Sequence, residues 1–174
     1  MLIYLQMIES EEDKSKFIQL YKKYRDLMFY SAKRILGNDS DAEDAVHEAF
    51  LTSLKHLHKF SEIDCPKTRS YFVIIVENKA IDHIRKRRHE AGIYDDSLHI
   101  DGMPIQQPGG HGLSDALVKL EPKYRQAIIL RYYNGYSVKE IAGMLGKSHA
   151  AVDKMLWRGK KELEKQLKEM GLVK

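Results

Sequence analysis

A group of polar side chains toward the C-terminal end has the types and the spacing to contact DNA. The stretch from Val138 to Trp157 fits a helix-turn-helix, with Ala142 where two helices cross closely, Gly146 at the turn and Val152 anchoring the second helix. In this motif the start of the second helix meets base edges in a major groove, and residues further along meet phosphates. A bare helical hairpin with a solvated basic face is the structural alternative. The candidate contacts are Ser148, His149, Ala150, Asp153 and Lys154 for bases or phosphates, and Arg158, Lys160 and Lys161 for the backbone.

A second basic group, Arg85-Lys86-Arg87-Arg88, ends a predicted helix that opens near Pro66. Proline suits the first turn of a helix, and Asp64 is placed to cap it. A basic run can bind a polyanion, but cations are also favourable at a helix C-terminus. The run alone therefore fits both nucleic-acid binding and simple compensation of the helix dipole.

The N-terminal half carries two further helical patterns that would position the basic run. Apolar residues at intervals of three and four give residues 13–36 one buried face, and Gly37 is predicted to end that helix. A capping box from Ser40 to Glu43 is predicted to start the next helix, whose apolar face continues to Leu57. These patterns predict a helical bundle.

The C-terminal half is also predicted to be helical. Residues 113–120 and 122–133 read as helical stretches. A capping box from Ser137 to Glu140 and a cap at Ser148 are predicted to open the two helices of the helix-turn-helix. No strand-like alternation stands out, so the fold is predicted to be all-α.

Residues 90–113 interrupt the helical patterns and predict a flexible linker. They mix Gly, Pro, Asp and Ser, and a structureless loop of more than about twenty residues is unusual inside one compact domain. Residues 1–89 carry 16 Lys+Arg against 14 Asp+Glu, and residues 115–174 carry 13 against 7. We therefore predict two small helical domains, residues 1–89 and 114–174, of which the second has the charge to suit a polyanion.

Other features of the chain disfavour catalysis, metal binding and membrane insertion. Cys65 is the single cysteine, so it cannot form an internal disulfide, and a reducing cytoplasm fits. His56 and His58 would lie on different faces of a helix and could not chelate one metal. The apolar opening MLIYLQMI is too short to span a bilayer and is predicted to pack on the first helix. We predict no enzymatic activity, no cofactor, no metal and a cytoplasmic location.

Three segments resemble one protein family, in the order in which that family has them. Residues 117–163 are similar to the promoter-binding region 4 of bacterial sigma-70-family RNA polymerase sigma factors, especially the short extracytoplasmic-function (ECF) group. The segment DAEDAVHEAFLTSLKHLHKF resembles region 2.2 of the family, and YFVIIVENKAIDHIRKRR resembles regions 2.3 and 2.4. The resemblance implies a region 2 bundle, a linker and a region 4 helix-turn-helix.

The resemblance also implies partners and functional positions. The chain would bind core RNA polymerase and direct it to promoter DNA, and an anti-sigma factor is left open as a further partner. The core-binding positions would be Asp41, Asp44, His47, Glu48 and Phe50. The positions that recognise and open the minus-ten element would be Phe60, Tyr71, Asn78, Asp82, Arg85, Lys86, Arg87 and Arg88. The helix-turn-helix residues named above would recognise the minus-thirty-five element.

Some of these positions have a structural explanation as well. Helix capping and dipole compensation explain Asp41 and part of Asp44, so Glu48, beyond the first turn, is the better docking candidate. Tyr71 stands where relatives often have Trp, and Tyr71 and Phe72 could equally belong to the core.

Two departures from the family pattern affect specific contacts. His47 replaces a frequent Gln in the core-binding helix. Lys154-Met155 replaces a frequent Ser-Arg pair in the recognition helix, which changes the expected minus-thirty-five preference.

A stand-alone helix-turn-helix repressor, which blocks transcription without polymerase, is the alternative function. The acidic second helix and the segment similar to region 2.3 disfavour it, because a repressor needs neither. Operator-binding proteins usually dimerise over two half-sites, and no sustained heptad follows the last helix here.

Overall fold

The computed structural model describes residues 1–93 and 112–173, and every regular element in these ranges is helical. This confirms the all-α prediction for the described residues. The chain separates into two compact units, one N-terminal and one C-terminal. The predicted 90–113 linker lies for most of its length outside the described residues, and the domain boundaries at 89 and 114 stay predictions.

In residues 1–93, the described part of the N-terminal unit, the chain forms four α-helices and a short 3₁₀ turn, Leu57–Lys59. The predicted helix over 13–36 is observed as the long second helix, and the apolar opening segment forms a short helix of its own. The α-helices are α1 Leu2–Gln6, α2 Glu11–Leu36, α3 Asp39–Leu54 and α4 Pro66–Glu90.

An aromatic cluster joins α2, α3 and α4 at the centre of this unit. The Phe72 ring lies 4.8 Å from the Tyr24 ring, 5.5 Å from Phe60 and 5.6 Å from Phe50. Residues 71–76 of α4 are all buried, as expected for a helix segment that is apolar on every side. Helix α4 is therefore the central helix of the bundle, and α2 and α3 pack against it.

The helix ends in the N-terminal unit match the sequence prediction at one place and correct it at two. Gly37 ends α2 with a left-handed φ of 78°. The predicted capping box at Ser40 is wrong, because Asn38 caps α3 by accepting a hydrogen bond from the Asp41 backbone N–H at 2.9 Å. Asp64 does not cap α4; Cys65 is the N-cap residue, and Asp64 pairs with Lys23 instead.

The part of the C-terminal unit that the structure describes, residues 112–173, is built from four α-helices and a π-helical turn, Ile129–Tyr133. The predicted helical stretches at 113–120 and 122–133 are both observed, with the second one ending in the π-helical turn. The α-helices are α5 Leu113–Lys119, α6 Pro122–Ile128, α7 Val138–Leu145 and α8 His149–Glu169.

Helices α7 and α8 form the predicted helix-turn-helix. Ser137 and Glu140 make the reciprocal capping box, and Ser148 caps α8 by accepting from the Ala151 backbone N–H at 3.2 Å. Gly146 lies between the helices with a φ of 61°, a conformation that side chains with a Cβ rarely adopt. The capping and turn predictions for the motif are thus confirmed.

Helix α8 also packs closely on α6, which fixes its orientation within the unit. A Cβ placed on Gly159 would lie 3.1 Å from Ile128 Cγ1 and 3.2 Å from Tyr124 Cβ. Only glycine fits this contact without a shift of the neighbouring chain. Within the described ranges, no helix combines the length and the apolar character needed to cross a membrane.

Candidate functional site

The outward face of α8 carries the residues predicted to contact DNA. The inner face holds Val152, Met155 and Leu156, all buried in the C-terminal unit. Every predicted contact is on the exposed side, and the structure therefore brings the two predicted groups onto one helix face. The exposed residues are Ser148, His149, Ala150, Asp153, Lys154, Arg158, Lys160 and Lys161.

The altered pair in the recognition helix divides between this surface and the core. Lys154 is exposed, whereas Met155 is 8% exposed and packs inside the unit. The arginine that relatives frequently carry would occupy position 155, whose side chain is buried in this chain. Lys154 therefore carries the positive charge of the Lys154-Met155 pair. Arg158 donates a long hydrogen bond, 3.4 Å, to the Tyr124 hydroxyl oxygen, which positions its guanidinium at the edge of the face.

Sequence reasoning missed an aromatic residue on the same face. Trp157 is 57% exposed, although tryptophan is usually well buried, and the Lys161 Nζ lies 4.1 Å from its ring centroid. It lies four residues after Asp153 and three after Lys154, which places the three side chains on one side of the helix. That spacing could have identified Trp157 from the sequence. We add Trp157 to the candidate nucleic-acid surface.

The second candidate surface is the solvent side of α3. Asp44, His47 and Glu48 are exposed, and the Asp41 side chain is 28% exposed. The fifth predicted docking residue, Phe50, is fully buried in the aromatic cluster. Phe50 therefore fills the bundle core in the free chain, as is usual for an aromatic residue at helical spacing. Its part in binding core polymerase stays a prediction.

The acidic side chains of α3 have partners within the N-terminal unit. Asp41 Oδ2 lies 2.6 Å from Arg87 Nη1, and Glu48 Oε1 lies 3.0 Å from His83 Nε2. The pKa of Asp41 is lowered, first by the hydrogen bond from Asn38 and further by Arg87. Helix α3 thus presents carboxylates at its surface that are held in position by α4.

His47, the departure from the family pattern, connects α3 to the N-terminal helix. The Tyr4 hydroxyl and His47 Nδ1 are 2.6 Å apart, and their rings lie 5.2 Å apart. Burial raises the pKa of Tyr4 to about 12, with nearby Tyr21 and Glu43 acting in the same direction. Tyr4 therefore stays protonated at neutral pH, and its hydroxyl remains available as a donor to His47.

Three residues predicted to read or open the minus-ten element are buried. Phe60 and Tyr71 are 4% and 0% exposed, with their rings 5.0 Å apart, and Asn78 is 9% exposed. The Asn78 Nδ2 donates to the Ile74 carbonyl oxygen at 2.8 Å. In the free chain these three side chains build α4 and its surroundings, as the core alternative for Tyr71 expected. Their part at the minus-ten element stays a prediction.

The basic end of α4 remains accessible. Lys86 and Arg87 are exposed, whereas Asp82, Arg85 and Arg88 are half-buried. Arg85 and Asp82 pair at 3.6 Å along the helix. The last turn of α4 carries Arg87 and Arg88, where their charges also complement the helix dipole. Compensation of the helix dipole is thus observed, and nucleic-acid binding by the basic run stays a prediction.

Comparisons with known proteins support the family assignment over most of the chain. Sigma-70 region 2 matches residues 20–90, and Sigma-70, region 4 matches residues 111–163. The ECF RNA polymerase sigma factor SigW of Bacillus subtilis is 27% identical, covering 91% of this chain and 92% of SigW. The ECF RNA polymerase sigma factor SigL of Mycobacterium tuberculosis is 27% identical, covering 89% of this chain and 90% of SigL.

A solved structure is similar as well. It is the co-crystal structure of the sigma factor RpoE with the anti-sigma factor NepR from Bartonella quintana, at 22% identity and a TM-score of 0.42, covering 91% of this chain and 98% of that one. The two family matches occupy the two helical units in the family's order, and the curated relatives match over nearly their full lengths. The chain belongs to the sigma-70 family of RNA polymerase sigma factors and is of the ECF type.

Proposed function

We propose that this sigma factor docks on core RNA polymerase through the solvent side of α3 and reads promoter DNA through α8 and the basic end of α4. The observation that carries the proposal is that the exposed carboxylates and the exposed basic groups lie on different helices. The N-terminal unit presents carboxylates on α3 and a basic end on α4, and the C-terminal unit presents a basic face on α8. Carboxylates suit a basic protein partner, and lysine and arginine suit phosphates.

The α3 docking surface is defined by Asp41, Asp44, His47 and Glu48. Asp44 and Glu48 are its principal residues, because Asp44 is exposed and the Glu48 side chain is 48% exposed, against 28% for Asp41. A basic helix of the core enzyme is the partner that this surface fits, and the contribution of each charge is expected to fall as salt increases.

The minus-thirty-five surface is proposed to consist of the exposed face of α8. Its first turns would meet base edges, with Ser148, His149 and Asp153 nearest the start of the helix. Lys154, Trp157 and Lys161 would then contact the edge of the groove or the phosphates.

The minus-ten surface is proposed to begin at the exposed end of α4, with Lys86 and Arg87 meeting phosphates. The buried Phe60, Tyr71 and Asn78 would support this surface from inside the bundle. The function is one of binding and strand opening, so no catalytic residue is proposed, and the place of action is the cytoplasm, where core polymerase transcribes. An anti-sigma factor would act by covering α3 or α8.

Co-purification with core polymerase, followed by transcription from a promoter library, tests the proposal. The expected result is stable association with core and transcripts that begin at a defined promoter class. A stand-alone repressor would bind DNA without core and would yield no transcripts, and failure to bind core would overturn the proposal.

A further inference from the structure

The short N-terminal helix α1 exposes large apolar side chains next to the α3 docking surface. Leu2, Ile3 and Met7 are 78%, 63% and 62% exposed, whereas Tyr4 on the same helix is 4% exposed. One exposed apolar side chain needs no explanation, but three within six positions form a patch that water solvates poorly. We call these three residues the α1 patch.

The α1 patch is held in a fixed place by Tyr4. The Tyr4 ring packs 5.1 Å from Phe17 and 6.0 Å from Phe50, and its hydroxyl binds His47 on α3. The segment is thus anchored in the aromatic cluster by one side chain while its neighbours face outward. Because His47 is itself on the α3 docking surface, the anchor places the patch directly beside that surface.

The two surfaces are continuous across a pocket of about 280 Å³. Met1, Ile3 and Tyr4 line it from α1, and Glu43 and Asp44 are among its residues on α3. The pocket therefore has an apolar side and an acidic side. Protein interfaces commonly combine an apolar centre with a polar or charged rim, and the acidic side chains alone would supply only the second part.

We propose that the α1 patch is the apolar part of the surface that docks on core RNA polymerase. The occupant is a core element that carries basic and apolar side chains together, so that its cations meet Asp44 and Glu48 while its apolar groups cover Leu2, Ile3 and Met7. This inference rests on the proposed function, because it extends the docking surface assigned to α3. In it, His47 and Tyr4 are positioning residues that hold α1 against α3.

The charge of the surface favours a basic element of core polymerase over a second copy of the chain as the occupant. In a symmetric dimer through this patch, the acidic borders of both copies would lie within one interface. Like charges gathered at an interface oppose binding, whereas a basic partner is attracted by Asp44 and Glu48; Glu43 is already paired with Arg25. The acidic border of the patch therefore favours a basic partner.

The test uses the full chain with Leu2→Gln and Ile3→Gln together, because glutamine keeps helix propensity and removes apolar surface. Competition with the wild-type chain for core polymerase is expected to show binding weakened about tenfold. Tyr30→Gln is the matched control: Tyr30 is 69% exposed on α2, does not line the pocket, and its replacement is expected to leave core binding unchanged. Thermal melting of all variants checks that the fold is kept.

The outcomes separate this inference from the proposed function. If Glu48→Lys weakens core binding and the double variant binds as wild type does, the α1 inference is overturned and the α3 docking surface stands. If neither change affects core binding, both fail. If the wild type forms a concentration-dependent dimer that the double variant loses, and core binding is unaltered, the patch is a self-association surface and the inference is overturned.

A second measurement decides the matter if the double variant melts early. A photo-crosslinking phenylalanine analogue at position 3 is expected to crosslink to the same core subunit as one at position 48. A crosslink from position 48 alone, with none from position 3, would contradict the inference without depending on the stability of the double variant.

Discussion

Asp41 and Arg87 form an ion pair between two surfaces that have different proposed partners, with Asp41 Oδ2 2.6 Å from Arg87 Nη1. Asp41 lies in the first turn of α3, which is proposed to dock on polymerase, and Arg87 lies in the last turn of α4, whose basic end is proposed to meet DNA. A substitution at either residue is therefore expected to change the other's charge environment. Mutational effects at one surface need to be checked at the other.

The pKa of Asp41 is expected to lie below that of an ordinary carboxyl group, first because of the Asn38 hydrogen bond and further because of the charge and hydrogen bond of Arg87. Because the native pKa is lowered, the stabilisation from this group is present above the ordinary carboxyl pKa and is lost as pH falls through the lowered value. Carboxyl ¹³C NMR against pH measures it. Asn38→Ala and Arg87→Gln are each expected to raise the Asp41 pKa, because each removes a group that lowers it, and an unchanged pKa in either variant would contradict the assignment of causes.

Glu48→Lys is expected to weaken binding to core polymerase while the protein keeps its helical content, and Asp44→Lys is expected to weaken it further. The reason is reversal of charge on an exposed surface that attracts a basic partner. A pull-down with core at several salt concentrations provides the measurement. Asp26→Lys, on α2 with a side chain 78% exposed, controls for the change in net charge. Unchanged retention of the double variant would count against docking through α3.

Trp157 provides an internal probe of the α8 surface because it is the chain's only tryptophan. The chain is assembled with core polymerase that carries non-fluorescent tryptophan analogues. The fluorescence emission of Trp157 is then expected to change when promoter DNA is added. Trp157→Ala is expected to weaken binding to the minus-thirty-five element several-fold, because it removes an exposed ring and its contact with Lys161 from the proposed DNA-binding face.

Tyr132 is the matched control for Trp157. It is 55% exposed and has the Lys160 Nζ 4.8 Å from its ring centroid, a similar arrangement on the π-helical turn rather than on α8. Tyr132→Ala is expected to have a much smaller effect on DNA binding. Equal losses for the two variants would argue that general loss of exposed aromatic surface, rather than the face of α8, is responsible.

Asn78→Ala is expected to act through stability rather than through a lost DNA contact. Asn78 is buried and its amide binds the Ile74 carbonyl oxygen, so the substitution should cost about 1 kcal/mol of folding free energy. Activity on a duplex promoter and on a pre-melted bubble should then fall in parallel. If the bubble template selectively restored the activity of Asn78→Ala, Asn78 would have a direct part in strand opening. Lys86→Ala, which removes an exposed cation, is expected to regain activity on the bubble template.

Alanine substitutions at two glycines in the C-terminal unit are expected to change the free energy of unfolding in opposite directions. Gly159→Ala places a Cβ 3.1 Å from Ile128 Cγ1 and is expected to destabilise the unit by about 1 to 3 kcal/mol. Gly143→Ala on α7 meets no atom within 4 Å and is expected to stabilise the helix by roughly 0.5 to 1 kcal/mol. Urea unfolding of both variants checks this. Similar changes in the free energy of unfolding for the two variants would show that the α6–α8 contact is looser than described.

Local patterns in the sequence identified most helices because their signals lie within one or two turns. Gly37, Ser137 and Ser148 end or begin helices as predicted, since each acts on its own backbone neighbours. The start of α3 was misplaced because Asn38, two residues before Ser40, was already able to cap the helix. Several neighbouring side chains can act as the N-cap of one helix, and sequence spacing alone does not show which of them does.

The candidate site was less predictable, because burial and long-range pairing depend on how helices pack. Family position suggested Phe60 and Tyr71 as contact residues, yet both fill the aromatic cluster. The pairs Asp41–Arg87 and Tyr4–His47 join residues more than forty positions apart, and no sequence spacing indicates them. Exposed positions on α8 were predicted well, because the buried side of a helix is set by its apolar period.

The most direct test of the whole account is a fluorescence anisotropy titration of promoter and scrambled DNA at moderate salt, with and without core polymerase. One helix-turn-helix module buries only about 600 to 1,000 Å² on DNA, so the isolated chain is expected to bind both DNAs weakly and with similar affinity. Assembly with core should hold both DNA-binding units on one promoter and produce selective binding. Tight, sequence-selective binding by the isolated chain as a dimer would contradict the account and favour a stand-alone repressor.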